Sequence, residues 1–127
     1  MIARIPPDES AVTFTRLSRD AIELTLDRVS IAIRGATKGP GATAIRRLRA
    51  FVDACVPERP NGPAQLGALP EILGTAVTLQ YPLMQLEQYL LGEPCDIGDE
   101  ERAELYLSFV RYHLWKLEHL LRESATA

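Results

Sequence analysis

Between Arg28 and Val52 the chain carries Arg28, Arg34, Lys38, Arg46, Arg47 and Arg49 and not one Asp or Glu, the flanking acids being Asp27 and Asp53. Guanidinium and ammonium groups at that density can do one kind of chemistry unaided: they hold anions and replace the counterions of a phosphate backbone. Of 14 Lys and Arg, 6 lie in this stretch and 8 remain to face all 17 Asp and Glu, so a formal net charge of −3 divides into +6 here and −9 elsewhere. Segregation of this kind marks one face for an anionic partner. A solvated helix face normally mixes both signs at i+4, and of the three arginines at 46, 47 and 49 only Arg49, near Asp53, has such a neighbour. Arg34, Lys38, Arg46, Arg47 and Arg49 are therefore candidate contacts to a nucleic-acid backbone, neutralising phosphates without reading bases.

Other chemistries find few residues. His113 falls in an apolar arc and His119 near its polar edge, six positions apart, so they cannot grip one metal as an i, i+4 pair does; His113 reads as a satisfied core histidine. No Glu-x-x-His repeat of a di-iron bundle and no Gly-x-Ser-x-Gly elbow occurs. Glu100, Glu101 and Glu104 complement a helix dipole rather than forming an acid and base pair. The Gly35 to Thr43 connection, with its glycines and Lys38, departs from the phosphate loop because Lys38 precedes Gly39 and helices flank it on both sides; it reads as a flexible basic turn. No catalytic residue, cofactor or metal site is expected.

The elements that must position the basic stretch are helical. Ile22, Leu26, Val29 and Ile33 recur with helical period over 18–34, with Ser18 as N-cap and Gly35 as the stop. Leu17, Leu24 and Ile31 make a second stripe on the opposite side of that helix, so it is either central in its bundle or half covered by a partner. A second helix is predicted over 43–55, with Ile45, Leu48, Val52 and Cys55 inward and Arg46, Arg49 and Asp53 outward. The four prolines between Pro57 and Pro70 mark a long loop, and a third helix over 70–91 carries Ile72, Ala76, Leu79, Leu83, Leu86 and Leu90 straight through Pro82, which predicts a kink rather than a stop. The fourth helix, 99–123, starts at Asp99 and turns Ala103, Tyr106, Leu107, Val110, Leu114, Leu117 and Leu121 inward. Trp115 projects with Glu104, Arg111, Glu118 and Arg122, either as a lid on neighbouring stems or as an anchor for another molecule. Leu24, Ile31 and Trp115 are thus the candidate contacts to a protein partner. The fold class is all-α: a single antiparallel bundle of four to five helices with a proline-kinked third helix, one domain over 1–127 with an irregular lead-in at 1–17 and a Pro-rich loop at 57–69.

Composition agrees with an ordinary globular chain, at 46% hydrophobic and 24% charged residues among 127. No apolar run approaches the roughly 18 residues of a membrane span, and Met1 to Ser10, with one Arg, two prolines and two acids, lacks the pattern of a secretory signal. Cys55 and Cys95, without a Cys-x-x-Cys motif, read as free thiols in a reducing, cytoplasmic compartment.

Ala42-Thr-Ala-Ile-Arg, opening a helix after a basic loop, resembles the Thr-rich Gln-Ile/Leu-Arg entry of the small helical subunit of type III CRISPR effector complexes, and Phe109-Val-Arg-Tyr resembles that family's Phe-x-x-Tyr. Ala44 stands where the family has glutamine, and His113 and Leu114 replace its acidic residue. The resemblance implies a non-catalytic bundle that stacks along a ribonucleoprotein filament, in contact with other subunits or copies of itself, and braces the RNA or DNA strand. The second hypothesis is a ligand-sensing, dimerising bundle similar to the C-terminal part of TetR-type regulators, for which Ala44-Ile-Arg-Arg-Leu-Arg-Ala-Phe suits an early core helix; about 17 residues precede the first helix, too few for a DNA-reading headpiece. A third is a small helical enzyme using arginines to hold a dicarboxylate, as chorismate mutases do.

Overall fold

The computed structural model describes residues 18–35, 38–56 and 70–126, with side chains as far as 123. Four helices account for most of them: α1 (Arg19–Arg34), α2 (Lys38–Ala54), α3 (Pro70–Leu91) and α4 (Glu100–Thr126). The lead-in at 1–17, and with it Leu17, and the Pro-rich loop at 57–69 lie outside the described residues.

Helix starts follow the expected caps. Ser18 Oγ accepts the Ala21 N–H at 3.2 Å, and Asp99 Oδ1 accepts the Arg102 N–H at 2.8 Å, each satisfying an orphan donor of a first turn. Gly92, at φ 76°, closes α3: its N–H donates to the Tyr89 carbonyl at 3.2 Å and the Glu93 N–H to that of Gln88 at 2.9 Å, the paired bonds of a glycine C-terminal motif. Gln85, buried inside α3, accepts the Asp96 N–H on Oε1 at 2.6 Å and so ties the turn before α4 to the bundle.

The second helix corrects the expectation. It starts at Lys38 rather than near Thr43, so the Lys38-Gly-Pro-Gly segment is helix and not a basic turn. Pro40 is tolerated because it lies in the first turn, where its missing N–H would have no partner. Gly41 is buried at the crossing of α1 and α2. At the other end of the chain α4 runs on to Thr126, past the predicted 123.

The inward stripes converge as their periodicity requires. Ile22, Leu26, Val29 and Ile33 of α1, Ile45, Leu48 and Val52 of α2, Ile72, Ala76, Leu79, Leu83, Leu86 and Leu90 of α3, and Ala103, Leu107, Val110, Leu114 and Leu117 of α4 form one buried core. Tyr106, Leu121 and Cys55 pack at its edge. Helix α3 is continuous through the buried Pro82. Helices α1 and α3 each pack on both α2 and α4. Cross-helix pairs establish the antiparallel order: Arg19 meets Glu118 and Arg34 meets Glu104 between α1 and α4, while Arg46 meets Glu87 and Asp53 meets Gln80 between α2 and α3.

Candidate functional site

The basic stretch acquires carboxylate partners that adjacent sequence does not show. Arg46 Nε lies 2.8 Å from Glu87 Oε2 and Arg49 Nη1 lies 2.6 Å from Glu87 Oε1, so one carboxylate of α3 receives two arginines from successive turns of α2. The expectation that these arginines lack acids is therefore corrected: the partner is about 40 positions away in sequence, where an i+4 search cannot find it. Asp53, expected near Arg49, instead accepts from Gln80 Nε2 at 3.1 Å. Burial pushes the Glu87 carboxyl up, but the hydrogen bonds and charges of Arg46 and Arg49 outweigh it and hold the group below the usual carboxylate range. The two ends of the clamp differ in solvation: the Glu87 side chain is 11% exposed, while those of Arg46 and Arg49 remain 61% and 36% exposed.

The other three candidates divide. Arg34 donates to Ser30 Oγ at 2.7 Å and reaches Glu104 Oε2 at 3.4 Å, with its side chain 64% exposed. The Lys38 ammonium stands 5.2 Å from the centre of the Tyr89 ring. Arg47 is exposed and has no partner among the described residues, as is true of Arg28.

Of the partner-contact candidates, Leu24 and Ile31 stand 56% and 58% exposed along the outer line of α1. Trp115 is held by its own chain: its indole N–H donates to Glu23 Oε2, which shares its carboxylate with Arg111, and the Arg19 guanidinium lies 4.9 Å over the ring. With the Arg19 guanidinium over one part of it, the Trp115 ring lines an open groove of ≈ 440 Å³ with Tyr112, Ser108, Arg111, Lys116, His119 and Arg19. A second groove, of ≈ 380 Å³, runs between α3 and α4 and is lined by Thr78, Tyr81, Pro82, Leu105, Tyr106 and Phe109. The sequence reading did not single out either groove. Exposed aromatic residues outside the core arc contribute to each, Tyr112 and Trp115 to the first and Tyr81 and Phe109 to the second.

His113 is also corrected. It is half-buried rather than in the core, its Nδ1 lies 2.9 Å from the Phe109 carbonyl of its own helix, and its ring sits against Phe109 and Tyr112. His119 pairs with Glu123 at the surface. Among the described residues no three His, Cys, Asp or Glu side chains come together to hold a metal ion, and none of the helices is long and apolar enough to cross a membrane. Both cysteines are free, and burial pushes the Cys55 thiol up to about 12.

The described residues define an all-α bundle of four helices in which Arg19, Arg34, Arg46, Arg49 and Arg111 pair with carboxylates on neighbouring helices. No family model, curated protein or solved structure matches the chain.

Proposed function

We propose that this chain is a non-catalytic helical subunit of a cytoplasmic nucleic-acid-binding assembly, in a role like that of the small subunit of CRISPR effector ribonucleoproteins. The observation that carries the reading is the α1 stripe. Leu24 and Ile31, seven positions apart and each more than half exposed, make an aliphatic line on the side of α1 away from Leu26 and Val29, which are fully buried. On this reading that line packs against neighbouring subunits or further copies of the chain. Arg47 and Lys38 then supply the main contacts to an RNA or DNA backbone, with the outer edges of Arg34 and Arg46 in support and Arg49 committed to Glu87. A bend of α3 at Pro82 belongs to the same reading.

Two variants test it. Leu24→Glu with Ile31→Glu leaves the core untouched and is expected to lower self-association or subunit capture, measured by sedimentation with the other subunits of its gene neighbourhood. Lys38→Glu with Arg47→Glu is expected to leave assembly intact while reducing nucleic-acid retention and flattening its salt dependence. Unchanged retention at every salt concentration defeats the nucleic-acid half. A discrete dimer that is broken by the α1 variant and carries no nucleic acid favours the bundle similar to TetR-type regulators.

A further inference from the structure

We propose that the groove along α4 beside the first turn of α1 binds an unstacked nucleotide, with its base on the Tyr112 ring against Trp115 and its phosphate at Lys116. This goes beyond the reading above by placing the strand on a face that the α2 arginines do not form. Tyr112, Trp115, Lys116 and His119 share one line of α4, being spaced three and four apart. Tyr112 is 67% exposed, which leaves much of its ring open to a base, and it meets His113 at 82°. Trp115 is fixed from behind by Glu23 and capped on one side by Arg19, so it serves as a preorganised wall rather than a mobile ring.

The charges select the ligand. Among the described residues no Asp or Glu lines the groove, and the acids bonded to its lining residues are engaged there: Glu23 with Arg111 and Trp115, Glu118 with Arg19 and Arg122, and Glu123 with His119. Lys116 is exposed and has no partner among the described residues, so its ammonium is available to a phosphate. A ligand that matches this surface carries a planar π-face and an anion a few ångströms apart. Unpaired nucleotides have both, and aromatic platforms beside cations are how single strands are held without sequence reading. The groove, at ≈ 440 Å³, is large enough for a nucleotide.

The same chemistry occurs in a free nucleotide and in a single strand, and one titration separates them. Trp115 is the only tryptophan in the chain, so quenching of its fluorescence reports the groove directly. The full chain at low salt is titrated with adenosine monophosphate and, separately, with an eight-nucleotide oligouridylate and its double-stranded counterpart. Quenching by the single strand, with less or none from the duplex, is the expected result; equal quenching by the mononucleotide identifies the free nucleotide as the ligand. Tyr112→Ala is expected to weaken binding roughly tenfold or more, and Tyr112→Phe to retain it, because stacking needs the ring and not the hydroxyl. Lys116→Ala should lower the slope of log affinity against log salt by about 0.7 for a single strand. Both positions are exposed, so a folded variant is expected, and circular dichroism checks it. The proposal is overturned if neither ligand quenches Trp115, or if Tyr112→Ala binds like the parent. Loss of binding in Lys38→Glu with Arg47→Glu but not in Tyr112→Ala would overturn it while leaving the α2 reading standing, and the reverse pattern would do the opposite.

Discussion

Gly41 on α2 faces Ala32 on α1 so closely that a Cβ built at Gly41 would lie inside 3.0 Å of the Ala32 Cβ, and 3.3 Å from Leu90 Cδ1 of α3. The contact is backbone-limited on both sides, since Ala32 has no far end to move away. Gly74, in the interior of α3, meets nothing within 4 Å.

The two glycines predict opposite effects of the same substitution. Gly→Ala inside a helix gains up to about 1 kcal/mol in propensity, whereas forcing a methyl into a filled crossing costs about 1–3 kcal/mol. Gly74→Ala should therefore raise the midpoint of urea unfolding, and Gly41→Ala should lower it. Equal shifts in the two variants would show that the α1 and α2 crossing is looser than this geometry requires.

The N-cap of the longest helix offers a smaller effect. Removing the Asp99 carboxylate leaves the Arg102 N–H without its acceptor and also withdraws a negative charge from the positive end of α4. Asp99→Ala is expected to cost about 0.5–2 kcal/mol, with Asp99→Ser recovering most of it. Denaturant unfolding of the three proteins side by side checks the order.

Thiol chemistry should separate the two cysteines. With the Cys55 thiol at about 12, its reactive thiolate at pH 8 amounts to roughly one part in ten thousand. In the folded protein a disulfide reagent should label Cys55 far more slowly than after unfolding in guanidinium, and a Cys95→Ser variant isolates that measurement. Fast labelling of Cys55 in the native state would show that the C-terminal end of α2 opens readily.

Much of this architecture was legible because it is periodic. The apolar positions of α3 kept their 3.6-residue spacing across Pro82, and the caps at Ser18 and Asp99 announced themselves by residue type. Local chemistry misled at Lys38-Gly-Pro-Gly, where turn-forming residues sit in a helix's first turn because Pro40 loses no bond there and Gly41 is required by Ala32. The site was less legible than the fold for a physical reason: its electrostatics are long-range in sequence. Arg46 and Arg49 find Glu87, Arg111 and Trp115 find Glu23, and Arg19 finds Glu118 only once the helices are antiparallel and in register. The phase of Leu24 and Ile31 on α1 left open whether that side was central in the bundle or turned outward, and only the packed helices decide it: both side chains are more than half exposed.

The Glu87 clamp connects stability, pH and ligand binding, and one substitution probes all three. Its carboxyl is held below its ordinary range in the folded protein, so its contribution is complete above the unfolded carboxylate's pKa and disappears as pH falls through the lower, folded value. Glu87→Gln removes the charge but keeps an oxygen for one arginine, and the half-exposed Arg46 can rehydrate, so a cost of about 1–2 kcal/mol is expected at neutral pH. The gap between parent and variant should narrow as pH is lowered through the carboxylate range, because the parent then loses the same charge. The substitution also frees one of the two guanidinium groups, weakens the hold on the other and shifts the net charge of the α2 and α3 side by +1. If the α2 side contacts a phosphate backbone, Glu87→Gln should bind single-stranded RNA more tightly than the parent and with a steeper salt dependence, despite being less stable. A variant that is destabilised but binds no better would mean that Arg46 and Arg49 serve the α2 and α3 packing alone, leaving nucleic-acid contact to Arg47, Lys38 or the Tyr112 groove.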